Sequence, residues 1–151
     1  MRLEKPSEKT FDQLFLLIKY YSDRFEMLPK TMDELYHQMR GFRLLVDDLD
    51  QVLGCSHLDV FTPTLAEVKS LAVQPFALGK GYGRVLVEDC EREARELGIK
   101  KIFALTYRDE FFKHLGYLQV TMESLPEKVY KECVKCHYYN NCNEIAVLKN
   151  L

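Results

Sequence analysis

A chain of 151 residues is expected to fold as one domain spanning 1–151, large enough to bury its own core without staples. Its 47% apolar content and 29% charge are those of an ordinary globular protein, and a formal net charge of −2 disfavours nucleic-acid binding, which needs a basic excess. No apolar run reaches the length of a membrane span, and Met1-Arg-Leu-Glu-Lys-Pro6 does not read as a signal peptide. Five cysteines, an odd number, fit reduced thiols in a cytoplasm.

Residues 8–21 place Phe11, Leu14, Phe15, Ile18 and Tyr21 at helical spacing, with Lys9, Asp12 and Lys19 elsewhere on the wheel. Pro29 interrupts, and Thr31-Met-Asp-Glu34 reads as a capping box opening a second helix that runs to about Met39 and ends at Gly41. Phe42, Leu44 and Val46 alternate as a strand, Asp47-Asp-Leu-Asp50 turns, and Val52 to Phe61 returns. Thr62-Pro-Thr64 leads into the strand Ala66–Val73. Beyond a run of glycines, a helix stacks Leu86, Val87, Cys90, Ala94 and Leu97 on one face. Glu88–Arg92 and Glu91–Arg95 pairs decorate its other face, and Gly98 stops it. Ile102–Thr106 is a near-continuous apolar strand, the pattern of a strand covered on both sheet faces. A short helix over Asp109–Leu115, a strand Tyr117–Thr121 and a last strand near Glu144–Lys149 complete the chain.

The segment from Ser70 to Arg84 carries the chemistry. An apolar strand runs through Gly79, Gly81 and Gly83 into a helix, so backbone N–H groups can close on a bound anion. The unpaired N–H groups and positive dipole end of the helix point at the same place, which makes a pyrophosphate cradle. A dinucleotide-binding turn fits less well, because it should follow the first strand of a βαβ unit and be trailed by an acidic ribose ligand. A Walker A loop needs Gly-Lys-Ser/Thr, and Gly79-Lys-Gly-Tyr82 lacks the hydroxyl.

Leu71-Ala-Val73, Pro75 and the alternate glycines resemble motif A of the GNAT superfamily of acyl-CoA-dependent N-acetyltransferases. The elements read β-αα-βββ-α-β-α-ββ, the order of that superfamily, so the resemblance implies an α/β (α+β) fold with a mixed, mostly antiparallel sheet flanked by helices. It implies acetyl-CoA as co-substrate, lying in a splay between the Ala66–Val73 and Ile102–Thr106 strands. Leu71, Ala72 and Val73 would pair with its pantetheine, and Gly79, Lys80, Gly81, Tyr82, Gly83 and Arg84 would hold its pyrophosphate. Leu78 departs from the superfamily, which usually has Arg or Gln there; Lys80 and Arg84 offer nearby charge. A glutamate at the position of Glu67 often serves as general base, since an ammonium has no lone pair with which to attack a thioester. The plain alternative is a carboxylate near an exposed strand start, paired with Lys69. Alternation puts Glu67, Lys69 and Leu71 on one face of the strand, and Val68, Ser70 and Ala72 on the other. The tyrosine that many members use as general acid is replaced by Phe112, four residues before Gly116-Tyr117. Tyr107 is one substitute; otherwise the thiolate leaves with help from water or a dipole, and no acid is assigned.

Within the superfamily, several segments resemble the acetyltransferase domain of N-acetylglutamate synthase: Ala66–Val73, Lys101–Arg108, Phe111-Phe-x-x-Leu-Gly-Tyr117, Leu125-Pro-Glu-Lys128 and Met27-Leu-Pro-Lys-Thr-x-x-Glu-Leu35. This resemblance implies L-glutamate as acceptor and the first step of arginine biosynthesis. Two carboxylates need cations, and the bidentate fork of arginine suits them. Arg108 is the first candidate, with Lys69 and Lys30 behind it; solvated surface charge is the plain reading of each lysine, and pairing with Asp109 or Glu110 that of Arg108. Many longer members carry an amino-acid-kinase domain that binds feedback arginine, for which this chain has no room, so arginine control is expected to act elsewhere or not at all. The rival readings are an N-acetyltransferase of another amine or a protein N-terminus, and a non-catalytic acyl-CoA sensor, which Phe112 and Leu78 favour and Glu67 opposes. The sequence also leaves a homodimer open.

Cys133-Val-Lys-Cys136 can present two thiolates to zinc, with Cys142 or His137 completing a set. Packed thiols or a redox disulfide fit the same residues, and no metal is assigned. Cys90 reads as core, and His57 and His114 as structural or surface residues.

Overall fold

Alternation and capping signals become elements in the computed structural model, which describes residues 1–125 and 144–151. In chain order these are β1 (Arg2–Glu4), α1 (Phe11–Ser22), α2 (Met32–Gln38), β2 (Phe42–Val46), β3 (Val52–Thr62), β4 (Leu65–Val73), α3 (Tyr82–Glu96), β5 (Lys101–Thr106), α4 (Asp109–His114), β6 (Leu118–Val120) and β7 (Ile145–Asn150). The strands hydrogen-bond in the order β1-β2-β3-β4-β5-β7-β6. β4 and β5 run parallel; the registered β1–β2, β2–β3, β5–β7 and β6–β7 pairs are antiparallel. This is the expected mixed, mostly antiparallel sheet flanked by helices. No helix among the described residues is long and apolar enough to cross a membrane.

The backbone divides into two compact units, Met1–Asp59 with Val68–Glu93, and Val60–Glu67 with Ala94–Leu151. In the first, the two-residue repeat of β2 sends Phe42, Leu44 and Val46 to one face, where they meet Leu14, Leu17 and Ile18 of α1 and Leu35 of α2. Leu45 points the other way and packs with Leu53 and Leu86 of α3. The capping box forms as read: Thr31 Oγ1 accepts the Glu34 N–H at 3.1 Å, and Glu34 Oε1 accepts the Thr31 N–H at 3.1 Å. In the β2–β3 turn, Asp47 Oδ1 accepts the N–H groups of Leu49 and Gln51, each at 2.9 Å.

Gly54 lets α3 approach closely. A Cβ built there would lie 2.9 Å from both the Ala72 carbonyl oxygen and Leu86 Cδ1. Gly54→Ala is therefore expected to cost about 1–3 kcal/mol, the usual range for overpacking. The check is the denaturant midpoint: it should fall with the slope unchanged, and an unmoved midpoint would contradict the close approach.

In the second unit, Phe61, Leu65, Phe103, Leu125 and Ala146 form one core cluster, with the Phe61 and Phe103 rings 5.9 Å apart. The end of α3 departs from the sequence reading. Gly98 takes φ 79°, its N–H donates to the Arg95 carbonyl, and the Ile99 N–H reaches back to the Ala94 carbonyl. That paired pattern is a Schellman stop, which turns the residue after the glycine inward. Ile99 is accordingly buried, whereas Leu97 is 60% exposed and not part of the apolar face. Glu91, expected on the outer face, is buried; Glu88 is engaged by Arg84, and Arg92 by Asp89.

Candidate active site

The passage from β4 to α3 is held from both sides. The Tyr21 hydroxyl donates to the Val73 carbonyl, the Gln74 N–H donates to the Leu53 carbonyl at 2.8 Å, and Gln74 Nε2 reaches the Val52 carbonyl at 3.2 Å. A single 3₁₀ turn over Pro75–Ala77 then delivers the chain to the glycines. Gly79 and Gly81 take φ 80° and 81°, and a Cβ at either would meet no protein atom within 4 Å. Backbone conformation, not crowding by the protein, demands glycine there. Gly83 differs: it lies within the first turn of α3 and outside the positive-φ residues.

The Val85 N–H, bonded to the Gly81 carbonyl at 3.2 Å, makes the first intrahelical bond, so the N–H groups of Tyr82, Gly83 and Arg84 precede the ladder. The first turn of α3 carries no acidic residue. Its positive dipole end is thus left for an anion. Lys80 is exposed, and Arg84 Nε lies 2.6 Å from Glu88 Oε1. Leu78, the departure from the expected cation, is exposed. The open Cβ directions at 79 and 81, with three amides at the helix start, fit a pyrophosphate.

Upstream on β4, Ala72 is buried against the α1 side, whereas Leu71 and Val73 pack with Leu45, Leu53 and Leu86. Ser70 has φ 50°, and this left-handed residue interrupts the simple alternation expected from Glu67 to Leu71. Its carbonyl accepts from the buried Cys55 Sγ at 3.2 Å. Lys69, a candidate for a substrate carboxylate, pairs with Asp59 at 3.1 Å and keeps only 15% side-chain exposure. Lys30 is half-buried beside the start of α2, where its charge helps hold the Glu34 carboxyl below its ordinary value, after the larger effect of the Thr31 backbone hydrogen bond.

Glu67 belongs to the second unit. It is 3% exposed and registers with Phe103 in the parallel β4–β5 ladder, which also pairs Leu65 with Lys101 and Ala66 with Ile102. Leu65 and Ala66 are buried as well, so the start of this strand is not the exposed one of the plain alternative. Arg108 follows β5 as an exposed residue, its N–H donating to Thr106 Oγ1 at 2.8 Å. The acids beside it both face Lys113: Asp109 at 2.8 Å and Glu110 at 3.8 Å. The hydrogen bond from Lys113 holds the Asp109 carboxyl below its ordinary value. Phe112 is buried edge-on against Tyr117 with ring centroids 5.1 Å apart, a core residue with no proton to give. Tyr107 is exposed.

A sequence model of the acetyltransferase (GNAT) family matches residues 11–117. The chain belongs to the GNAT family. It is 36% identical to an uncharacterized N-acetyltransferase of Chlorobaculum tepidum over 131 residues, 87% of this chain and 84% of that one. Identity to an amino-acid acetyltransferase of Mycobacterium tuberculosis is 28% over 123 residues, 80% of this chain and 70% of the relative. Among solved structures, N-acetylglutamate synthase from Neisseria gonorrhoeae, complexed with coenzyme A and N-acetyl-glutamate, superposes with a TM-score of 0.90 at 25% identity. That match covers 99% of this chain and 35% of the synthase.

As a GNAT protein the chain is an acetyl-CoA-dependent N-acetyltransferase. Its described thiols are unsuited to nucleophilic work: burial pushes both Cys55 and Cys90 up to about 12, so each stays protonated at neutral pH. Cys90 is core as expected, its Sγ 3.3 Å from Ser56 Oγ, and His57 is buried and stacked on Phe42 at 4.7 Å. The residues weighed as zinc ligands, Cys133, Cys136, His137 and Cys142, lie outside the described residues. Sequence reasoning missed the hold of Tyr21 and Gln74 on the end of β4. The only signal for Tyr21 was its place on the apolar stripe of α1, which does not distinguish a packing tyrosine from a hydrogen-bonding one.

Proposed function

We propose that this acetyltransferase transfers the acetyl group of acetyl-CoA to the α-amine of L-glutamate, the first step of arginine biosynthesis. The observation that carries this reading is the superposition of nearly the whole chain on a synthase bound to coenzyme A and N-acetyl-glutamate. Relatives named amino-acid acetyltransferase support the same class of acceptor. Arg108 supports it chemically, since a guanidinium can grip a carboxylate with two parallel hydrogen bonds.

Acetyl-CoA supplies a thioester whose carbonyl carbon accepts the amine. The amides of Tyr82 to Arg84 and the dipole of α3 neutralise pyrophosphate charge, with Lys80 and Arg84 adding positive charge nearby. Glu67, directly or through a water, takes a proton from the α-ammonium and frees its lone pair. The N–C bond then forms, the nitrogen gives up its second proton to solvent as the C–S bond breaks, and coenzyme A departs as thiolate, to be protonated from solvent. Cys55 and Cys90, held protonated by burial, do not serve as nucleophiles, and in this reading the amine attacks the thioester directly.

Arg108→Lys keeps the charge and loses the fork. KM for L-glutamate should rise about tenfold or more, the worth of a charge-assisted hydrogen bond, while acetyl-CoA affinity stays at the parent value. Steady-state kinetics with L-glutamate varied at saturating acetyl-CoA makes the check. An unchanged KM would remove Arg108 from the acceptor site and count against a dicarboxylate acceptor.

A further inference from the structure

Helix α3 can present its first N–H groups only where its own seat on the sheet puts them, and two points of that seat bear on its register. One is steric. Leu86 fills the space that Gly54 leaves, packing with Leu45 and Leu53. The other is ionic. Arg43 of β2, whose side chain alternates to the same face as Leu45, brings Nε to 2.7 Å from Asp89 Oδ2 and Nη2 to 3.3 Å from Glu93 Oε2. Arg92 Nη2 closes on Asp89 Oδ1 at 2.9 Å. Side-chain exposures of 16% for Arg43 and 7% for Asp89 show that this pair has been taken largely out of water.

A pair so desolvated is a poor source of net stability, because the loss of hydration offsets the attraction. It is well suited to fixing a register. Sliding or rotating α3 would part Arg43 from both Asp89 and Glu93 and leave its largely buried guanidinium without those partners, whereas the apolar seat of Leu86 is non-directional and tolerates small slips. The acidic partners recur one turn apart, at 89 and 93, so the guanidinium grips two successive turns of the same helix face. From Asp89 to the helix start is about 10 Å at the usual rise per residue, a distance a regular helix spans rigidly.

We propose that Arg43 and Asp89 are positioning residues for acetyl-CoA: their ion pair fixes the slide and rotation of α3 and so aims the N–H groups of Tyr82, Gly83 and Arg84 at the pyrophosphate. The proposal rests on the reading of residues 79–84 as the cradle. Neither side chain touches the ligand.

Calorimetric titration of coenzyme A into the full chain and its Asp89→Asn and Arg43→Lys variants, well below each Tm, tests this. Binding should weaken about tenfold in Asp89→Asn, with a matching rise in KM for acetyl-CoA, because small misplacements far from the chemistry carry costs of this size or larger. Arg43→Lys keeps a cation at the site and should fold readily; its binding should weaken in the same direction. In both variants kcat at saturating substrates and KM for the acceptor should stay within about twofold of the parent, a split that loss of fold does not produce. A fall in Tm with coenzyme A affinity unchanged in both variants overturns the positioning role. Gly81→Val, titrated alongside, separates the two claims: weak binding there beside parent-like binding in both ion-pair variants rejects positioning alone. Parent-like binding in all three rejects the cradle, and positioning with it.

Discussion

Glu67→Gln is expected to lower kcat by about 100-fold or more while leaving coenzyme A affinity at the parent value. The amide keeps the shape of the carboxylate, and a residue only 3% exposed has little room for any other replacement. What it loses is the capacity to accept a proton. At neutral pH the α-amine of an amino acid is mostly ammonium, so without a base the reaction draws on a minor neutral fraction. The rate of the variant should therefore climb with pH over the range where the free amine appears, whereas the parent should level off earlier. Initial rates of thiol release across pH, with a calorimetric titration of coenzyme A, check both halves. Activity that persists with the parent pH profile would assign the proton transfer to another group.

Gly81→Val should weaken coenzyme A binding at least tenfold, or about 1.4 kcal/mol, with the fold retained. The reasoning is conformational. Gly81 has φ 81°, a region that a β-branched residue enters only at a cost of roughly 1–3 kcal/mol. Since a Cβ there meets no protein atom within 4 Å, the new side chain has space within the protein. Either the turn relaxes and the amides lose their aim, or the side chain stands where the pyrophosphate should lie. Binding at parental strength in the calorimeter, by a variant shown to be folded, would contradict the cradle.

What could be read from the sequence was local. The box at Thr31 needs only residues within one helical turn, and the glycines at 79 and 81 announce a backbone conformation that other residues avoid. Cys90 was legible as core from helical spacing alone. The errors arose where a local rule was overridden by geometry it cannot see. Alternation along β4 was extrapolated through Ser70, whose left-handed φ carries no compositional mark in a serine. Leu97 was placed on the buried stripe of α3 because the Gly98 stop was read as an end and not as a Schellman motif, which buries Ile99 instead.

Charge partners were harder still. Lys69 was open on paper to a substrate carboxylate, to Glu67 or to solvent, and its ion pair with Asp59 on the neighbouring strand was not legible. The Arg43–Asp89 pair joins β2 to α3 across a separation no sequence window spans, and Glu91, drawn to the outer face by its spacing to Arg95, is buried. The sequence offered Asp109 and Glu110 only as neighbours of Arg108, and gave no sign that both also reach Lys113, one helical turn away in the case of Asp109.

Acceptor choice is tested most directly by initial rates of coenzyme A thiol release with L-glutamate, L-glutamine and putrescine, supplied singly and in competition to the parent protein. L-Glutamate should give the highest kcat/KM and outcompete the others, with N-acetylglutamate as the product identified by mass spectrometry. Preferential acetylation of L-glutamine or putrescine would contradict the glutamate assignment and leave an acetyl-CoA-dependent N-acetyltransferase with a different acceptor.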